Sequence, residues 1–196
     1  MDLMALGHNH RQHRLFIGWV CAVYTLMGAV WLSGTPVRPW GVAFMVALVV
    51  VEELIFRRWL LLALAARVGV VAALFLSTAA FAAAHLPVPL ESFVFVAKDG
   101  LIFGLIFLLT GRLSFSILFH VAHNAFVTGA THGNTVHEAL FGASVPVYRV
   151  LGVLGIAKLM FLAYLASLAF LVMRSAVSVQ RAQGPLDYGA ETKELT

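Results

Sequence analysis

The chain has 196 residues, of which 61% are hydrophobic and only 11% are Asp, Glu, Lys or Arg, with a formal net charge of +4. Soluble domains are roughly 45–50% apolar and about 25% charged, so this composition excludes a soluble enzyme, a disordered regulator and a nucleic-acid-binding domain. The mean hydropathy of +0.93 instead places most of the chain in lipid. The 13 Lys and Arg residues form no basic run, which is typical of charges that flank membrane helices.

The apolar runs predict an all-α, polytopic membrane helix bundle with about six transmembrane helices, because a spanning helix needs about 20 residues. We place the spans at about 15–33, 41–64, 68–86, 92–111, 114–131 and 148–173, with breaks at proline- and glycine-containing segments. Residues 1–14 are expected to form a cytoplasmic N-terminal segment, and 174–196 a polar, mobile tail. Between them lies one domain, 15–173, whose first helix is retained rather than cleaved as a signal peptide.

The distribution of basic residues predicts the orientation of the bundle, because cytoplasmic loops carry more Lys and Arg than external loops do. With the N-terminus inside, nine basic residues lie on the inner side, namely Arg11, Arg14, Arg57, Arg58, Arg67, Arg112, Arg174, Arg181 and Lys193. Three lie on the outer side, namely Arg38, Lys98 and Arg149. Both termini are therefore expected to be cytoplasmic.

Ionisable residues inside the spans are candidate functional residues, since each costs a few kcal/mol at the bilayer centre. In the second span, Glu53 and Arg57 are four residues apart and can pair along one helix face. Glu52 points about 100° away from Glu53 and has no obvious local partner, which suits a general acid or base. The alternative is that these charges mark the helix end and reach to the interface, as we expect for Arg58.

Three further polar side chains lie in later spans or at their ends. His85 ends the third span, where a lone histidine has a structural interpretation as well as a functional one. His120 and Asn124 are four residues apart in the fifth span and share one face. They could hold a metal, bind a carbonyl oxygen or form polar contacts between helices. No role is assigned to the remaining polar residues of this region, Lys98, Asp99 and His123.

The order of these motifs resembles the CPBP family of intramembrane proteases, also called the ABI or CAAX-protease family. The family pattern is EExxxR, then FxxxH, then HxxxN, on successive membrane helices. The matching residues are Glu52, Glu53 and Arg57, then Phe81 and His85, then His120 and Asn124. The helix before the third motif, with its GxxxG pair and TG turn, is also similar. The resemblance covers about residues 41–131.

This resemblance implies hydrolysis of a peptide bond in a membrane-anchored protein or peptide substrate, within the lipid bilayer. It implies that Glu52 and His85 activate the attacking water. It also implies that His120 and Asn124 stabilise the tetrahedral oxyanion. Two further residues would support the site structurally, Glu53 and Arg57. The short chain indicates a bacterial-type member, in the cytoplasmic (inner) membrane. With the N-terminus inside, Glu52 lies in the outer half of its span and His85 at the outer end of the next, so we expect the site to open within or toward the outer half of the membrane.

The sequence leaves alternatives open for the mechanism and for the function. A glutamate-activated water needs no metal and is favoured, so no cofactor is expected. A zinc protease is the alternative, with a two-His, one-Glu ligand set made of Glu52, His85 and His120. A non-catalytic immunity or scaffold protein of the same fold is the alternative function. A small proton-coupled carrier is a third, but no internal repeat supports it.

Overall fold

A computed structural model describes residues 9–34, 37–86, 90–132 and 147–182. Within these residues the chain forms helices and no β-strand. The described helices are, in chain order, α1 (Asn9–Ser33), α2 (Pro39–Val68), α3 (Val70–Ala83), α4 (Leu90–Thr110), α5 (Leu113–His132) and α6 (Val147–Ala182). The predicted all-α class is confirmed, and these helices agree with about six spans.

The burial pattern is that of a bundle surrounded by lipid. Large apolar side chains cover the outside, where Trp40, Trp59 and Met160 are 67%, 68% and 70% exposed. Charged side chains lie inside, where Glu53 and Arg57 are 0% and 1% exposed. Among the described helices, α1, α2, α4 and α6 each contain a segment long and apolar enough to cross a membrane. Shorter apolar helices, α3 and α5, complete the bundle.

Helix α2 carries two adjacent carboxylates near its middle. It begins at Pro39, a residue suited to the first helical position, and its 30 residues extend about 45 Å, beyond a hydrocarbon core of about 30 Å. Glu52 and Glu53 therefore lie deep in the membrane. Directly after them, Leu54–Leu61 form a π-helical segment, a local irregularity that is frequent at functional sites.

Helix α3 is short, and its length sets the depth of His85. Gly69 separates α2 from α3, with a φ of +84° that favours glycine. The 14 residues of α3 extend only about 21 Å, which is less than the membrane core. His85 follows the last turn of α3, so the short helix places it beside Glu52 of α2.

Two glycines of α4 allow α3 to approach closely. A Cβ atom at Gly100 would lie 2.8 Å from Cδ1 of Phe81, and one at Gly104 would lie 2.5 Å from Cδ1 of Leu74. The GxxxG pair thus packs α4 against α3. This contact brings the α4 backbone to the centre of the bundle, beside the charged residues of α2.

The helix ends differ from the predicted spans at both termini. Helix α1 begins at Asn9, inside the predicted N-terminal segment, and α6 continues through Ala182, inside the predicted polar tail. Arg, Gln and Ala are good helix formers, so the polar composition after Met173 does not end the helix. The sequence also predicts a loop at 132–147, of which residues 133–146 lie outside the described residues, as does the remainder of the tail.

Candidate active site

Glu53 is a buried carboxylate surrounded by donors. Ser116 Oγ donates to its Oε2 at 2.5 Å, and His120 Nδ1 lies 3.0 Å from its Oε1. Arg57 Nε lies 3.5 Å from Oε2, so the pair predicted from the spacing is confirmed. These contacts offset the cost of burying an anion, and they commit both carboxylate oxygens to structural partners.

Arg57 ties the second helix to the third and fourth. Its Nη2 donates to the carbonyl oxygen of Gly100 at 3.1 Å. The guanidinium carbon lies 4.3 Å from the ring centroid of Phe81 and 5.5 Å from that of Phe103. Desolvated cation–π contacts and the charge of Glu53 together stabilise a cation that would otherwise be costly in lipid.

Glu52 lies on a different side of α2 and is partly open. Its side chain is 29% exposed, whereas that of Glu53 is 0% exposed. His120 Nε2 lies 3.6 Å from Oε2 of Glu52, and His85 Nε2 lies 4.0 Å from Oε1. Both separations are longer than a hydrogen bond. The structure thus brings together three of the predicted catalytic residues, with Glu52 between two imidazoles.

Both imidazoles are oriented by their other ring nitrogen. His85 Nδ1–H donates to the carbonyl oxygen of Phe81 at 2.8 Å, and His120 Nδ1–H donates to Glu53. A carbonyl oxygen or an ionised carboxylate can only accept, so Nδ1 carries the proton in each ring. Each ring therefore directs Nε2 toward Glu52.

Aromatic rings form the walls of this site. Phe103 stacks on His120, with ring centroids 4.3 Å apart and an interplanar angle of 21°. The Phe81 centroid lies 4.7 Å from that of His85 and 5.7 Å from that of His120. Phe81 thus packs against both imidazoles and supplies the carbonyl that orients one of them, which gives the FxxxH spacing a physical reason.

Asn124 is placed differently from the other predicted catalytic residues. It lies one turn beyond His120 on the same face of α5 and is half-buried. Within the described part of the chain, its side chain makes no hydrogen bond. It is therefore aligned with the site but not joined to Glu52, His85 or His120 by a polar contact.

Ser116 and Phe103 are site residues that the sequence reasoning did not single out. Ser116 precedes His120 by four residues, so Ser116, His120 and Asn124 form one polar stripe on α5. That periodicity was the available signal for Ser116. Phe103 carried no comparable signal, because one phenylalanine among many in an apolar helix is indistinguishable by type.

The alternative zinc set has one feature for it and one against it. Metal-binding histidines commonly have their second ring nitrogen tied to an oxygen, as His85 and His120 do. Among the residues that the structure describes, however, no three His, Cys, Asp or Glu side chains are grouped closely enough to hold a metal ion. Glu52, His85 and His120 would have to draw together around a zinc ion.

Comparison with known proteins supports the resemblance read from the motifs. Residues 34–126 match the family described as "Type II CAAX prenyl endopeptidase Rce1-like". This segment contains all three motifs, from Glu52 to Asn124. Searches of curated proteins and of solved structures gave no match. Residues 34–126 are thus similar to the Rce1-like family of CAAX prenyl endopeptidases, and this match together with the long apolar helices points to an integral membrane protein.

Proposed function

We propose that the protein is an intramembrane endopeptidase in which Glu52 is the general base. The observation that carries this proposal is the contrast between adjacent carboxylates: Glu53 is saturated by donors, while Glu52 is partly open between two imidazole Nε2 atoms. In a neutral imidazole Nε2 of His85 is an acceptor, as are the oxygens of Glu52. A water molecule beside His85 and Glu52 can bridge their 4.0 Å separation, because it can donate to both.

The reaction follows from these positions. Glu52 takes a proton from the water, and the resulting hydroxide attacks the carbonyl carbon of the scissile peptide bond. The tetrahedral intermediate then collapses, the C–N bond breaks, and the proton passes from Glu52 to the leaving amine nitrogen. His85 holds the water in line through its Nε2.

In this scheme, His120 and Asn124 stabilise the oxyanion of that intermediate. In its doubly protonated form, the imidazole of His120 donates from Nδ1 to Glu53 and from Nε2 to the oxyanion. The amide of Asn124, one turn further along α5, supplies a second donor. Glu53 and Arg57 contact no reacting atom in this scheme, and they support the site by fixing α2 and His120.

A neighbouring cavity suits an apolar part of the substrate. It has a volume of about 310 Å³, and its lining includes Trp40, Met45 and Thr128, with Arg38 beside them. Met45 precedes Glu52 by two helical turns, and Thr128 follows Asn124 by one turn, so the cavity lies along the same two helix faces as the catalytic residues. We propose that apolar residues flanking the scissile bond of a membrane-anchored substrate bind there.

The metal-free mechanism is the one we favour, and zinc is the alternative. Preincubation of the purified protein with a strong chelator should leave cleavage unchanged. Loss of cleavage, restored by added zinc, would assign Glu52, His85 and His120 as ligands instead.

We further propose that both termini are cytoplasmic and that the protein resides in a bacterial inner membrane. The excess of basic residues on one side supports this orientation. Reporter fusions to each terminus test it, and periplasmic termini would reverse it.

The proposed activity is tested with two probes in detergent micelles, a farnesylated peptide ending in CAAX and a library of unprenylated apolar fluorogenic peptides. The wild-type protein should cleave at least one of them, and Glu52→Gln should cleave neither while accumulating normally. Arg67→Gln, at an exposed position of the same helix, is the matched control. Equal cleavage by Glu52→Gln and wild type would reject Glu52 as the general base, and absence of cleavage by the wild type would favour a non-catalytic scaffold or immunity protein.

A further inference from the structure

A second polar cluster joins α4, α5 and α6. Lys158 Nζ lies 2.5 Å from Oδ1 of Asp99 and 3.1 Å from Nδ1 of His123. His123 Nε2 lies 3.3 Å from Oδ2 of Asp99, which closes a ring of three contacts. The side chains of Asp99 and Lys158 are 6% and 8% exposed. We call these three residues the polar ring.

The charged groups of the polar ring compensate one another. An ammonium group can only donate, so Lys158 donates to Nδ1 of His123 and forms an ion pair with Asp99. Nδ1 is then an acceptor, and the proton of a neutral His123 is on Nε2, which faces Asp99. The charges of Asp99 and Lys158 cancel, so the ring can lie inside a membrane bundle at low cost. Lys98, 3.3 Å from Asp99, is an additional partner at the edge.

The polar ring shares two helices with the candidate active site. On α5, His123 follows His120 by three residues. On α4, Asp99 precedes Gly100, the residue whose carbonyl binds Arg57. Phe103, one turn after Asp99, stacks on His120. A change in the side-chain positions of the polar ring would therefore be transmitted to His120 through both α4 and α5.

We propose that Asp99 is a positioning residue, which fixes the rotation of α5 and thereby holds His120 against Glu52. The inference rests on the proposed protease function. Side chains reach about 5–6 Å from a helix axis, so a rotation of about 10° moves a side-chain tip by about 1 Å. A displacement of that size can cost about 100-fold in rate. Lys158 lies outside the segment that matches the family, so the ring adds a feature of this chain to the family motifs.

Loss of the ring should not separate the helices that carry it. Phe119 of α5 stacks on Phe161 of α6 with centroids 5.5 Å apart, and this contact is independent of the ring. Replacing a buried ion pair by apolar residues of similar volume is often neutral for stability. The double variant Asp99→Leu/Lys158→Met is therefore expected to fold.

The experiment compares this double variant with the wild type on the cleaved probe. We expect kcat to fall by about 10- to 100-fold with KM within about threefold, since the reacting geometry changes and the binding cavity does not. Asp99→Glu, which keeps the carboxylate, should recover most of kcat, and Lys98→Met should be close to wild type. An unchanged kcat in the folded double variant would overturn the proposal. If that variant does not accumulate, Asp99→Asn replaces it in the same comparison.

A second measurement separates this proposal from the proposed function. Spin labels at Phe44→Cys on α2 and Leu118→Cys on α5, both exposed positions, report the spacing of these helices in a Cys21→Ala background. The double variant should shift or broaden the distance distribution relative to the intact ring. An unchanged distribution would refute the positioning role. If no probe is cleaved by the wild type, the protease function fails, and this distance alone decides the role of Asp99.

Discussion

The two neighbouring glutamates of α2 have different surroundings: Glu53 lies in a closed region of the bundle centre, and Glu52 lies in an open one. Around Glu53, contacts of 2.5 Å, 3.0 Å and 3.5 Å bind both carboxylate oxygens. Around Glu52, the nearest histidine nitrogens are 3.6 Å and 4.0 Å away, and 29% of the side chain is accessible. Two adjacent residues therefore differ: Glu53 is held by structural contacts, whereas Glu52 remains accessible.

The comparison shows why adjacency in sequence does not mean equivalence. Successive residues of a helix point about 100° apart, so they meet different neighbours. Glu53 faces the polar stripe of α5 and the guanidinium of Arg57. Glu52 faces the gap between α3 and α5, where His85 and His120 converge. The following predictions test each side of this division.

Among variants that keep both glutamates, the largest effect is expected on the open side, at Asn124. Asn124→Ala should lower kcat by about 10²–10³-fold with little change in stability, because one oxyanion donor is lost. Val127→Ala, at a lipid-exposed position of the same helix, should behave as wild type. A kcat unchanged by Asn124→Ala would remove this residue from the oxyanion site.

A smaller effect is expected on the closed side, at Ser116. Ser116→Ala removes a buried hydrogen bond to an ionised carboxylate and should cost about 1.5–3 kcal/mol in the free energy of unfolding. Thermal unfolding in detergent measures this change, with Ser114→Ala at an exposed position as the control. If both serine variants unfold at the same temperature, the closed region does not depend on that bond.

The smallest effect concerns the contact of α1 with α5, the helix that carries Ser116 and His120. A Cβ atom at Gly28 of α1 would lie 2.9 Å from the backbone Cα of Ala122 on α5, whereas nothing lies within 4 Å of one at Gly41. Gly28→Ala should therefore destabilise the protein by about 1–3 kcal/mol through overpacking. Gly41→Ala should not. Equal unfolding temperatures for these variants would contradict the close packing of α1 against α5.

Much of this division could be predicted from the sequence. Apolar runs interrupted by Pro and Gly predicted the helices, and the four-residue spacing predicted the pair of Glu53 with Arg57. The partial isolation of Glu52 was also predicted, because no basic residue lies one turn away. These features depend on local periodicity, which a sequence states directly.

The remaining features depend on how helices pack. The spacing of residues on α2 cannot reveal that His120 contacts both glutamates, because this requires the rotation of α5 relative to α2. The partnership of Asp99 with His123 and Lys158 joins residues up to 59 positions apart. Lys158 falls inside the sixth predicted span, and its partners Asp99 and His123 lie on other helices.

The division of roles between the glutamates is tested most directly by the single-turnover cleavage rate, normalised to folded protein, of purified Glu52→Gln and Glu53→Gln. Glu52→Gln should unfold at the wild-type temperature and cleave at least about 10³-fold more slowly. Glu53→Gln should unfold at a lower temperature, because Arg57 loses its buried counter-charge, while its folded fraction cleaves at least about tenfold faster than Glu52→Gln. Wild-type cleavage by folded Glu52→Gln, or equal loss of cleavage in both variants, would contradict this division of roles.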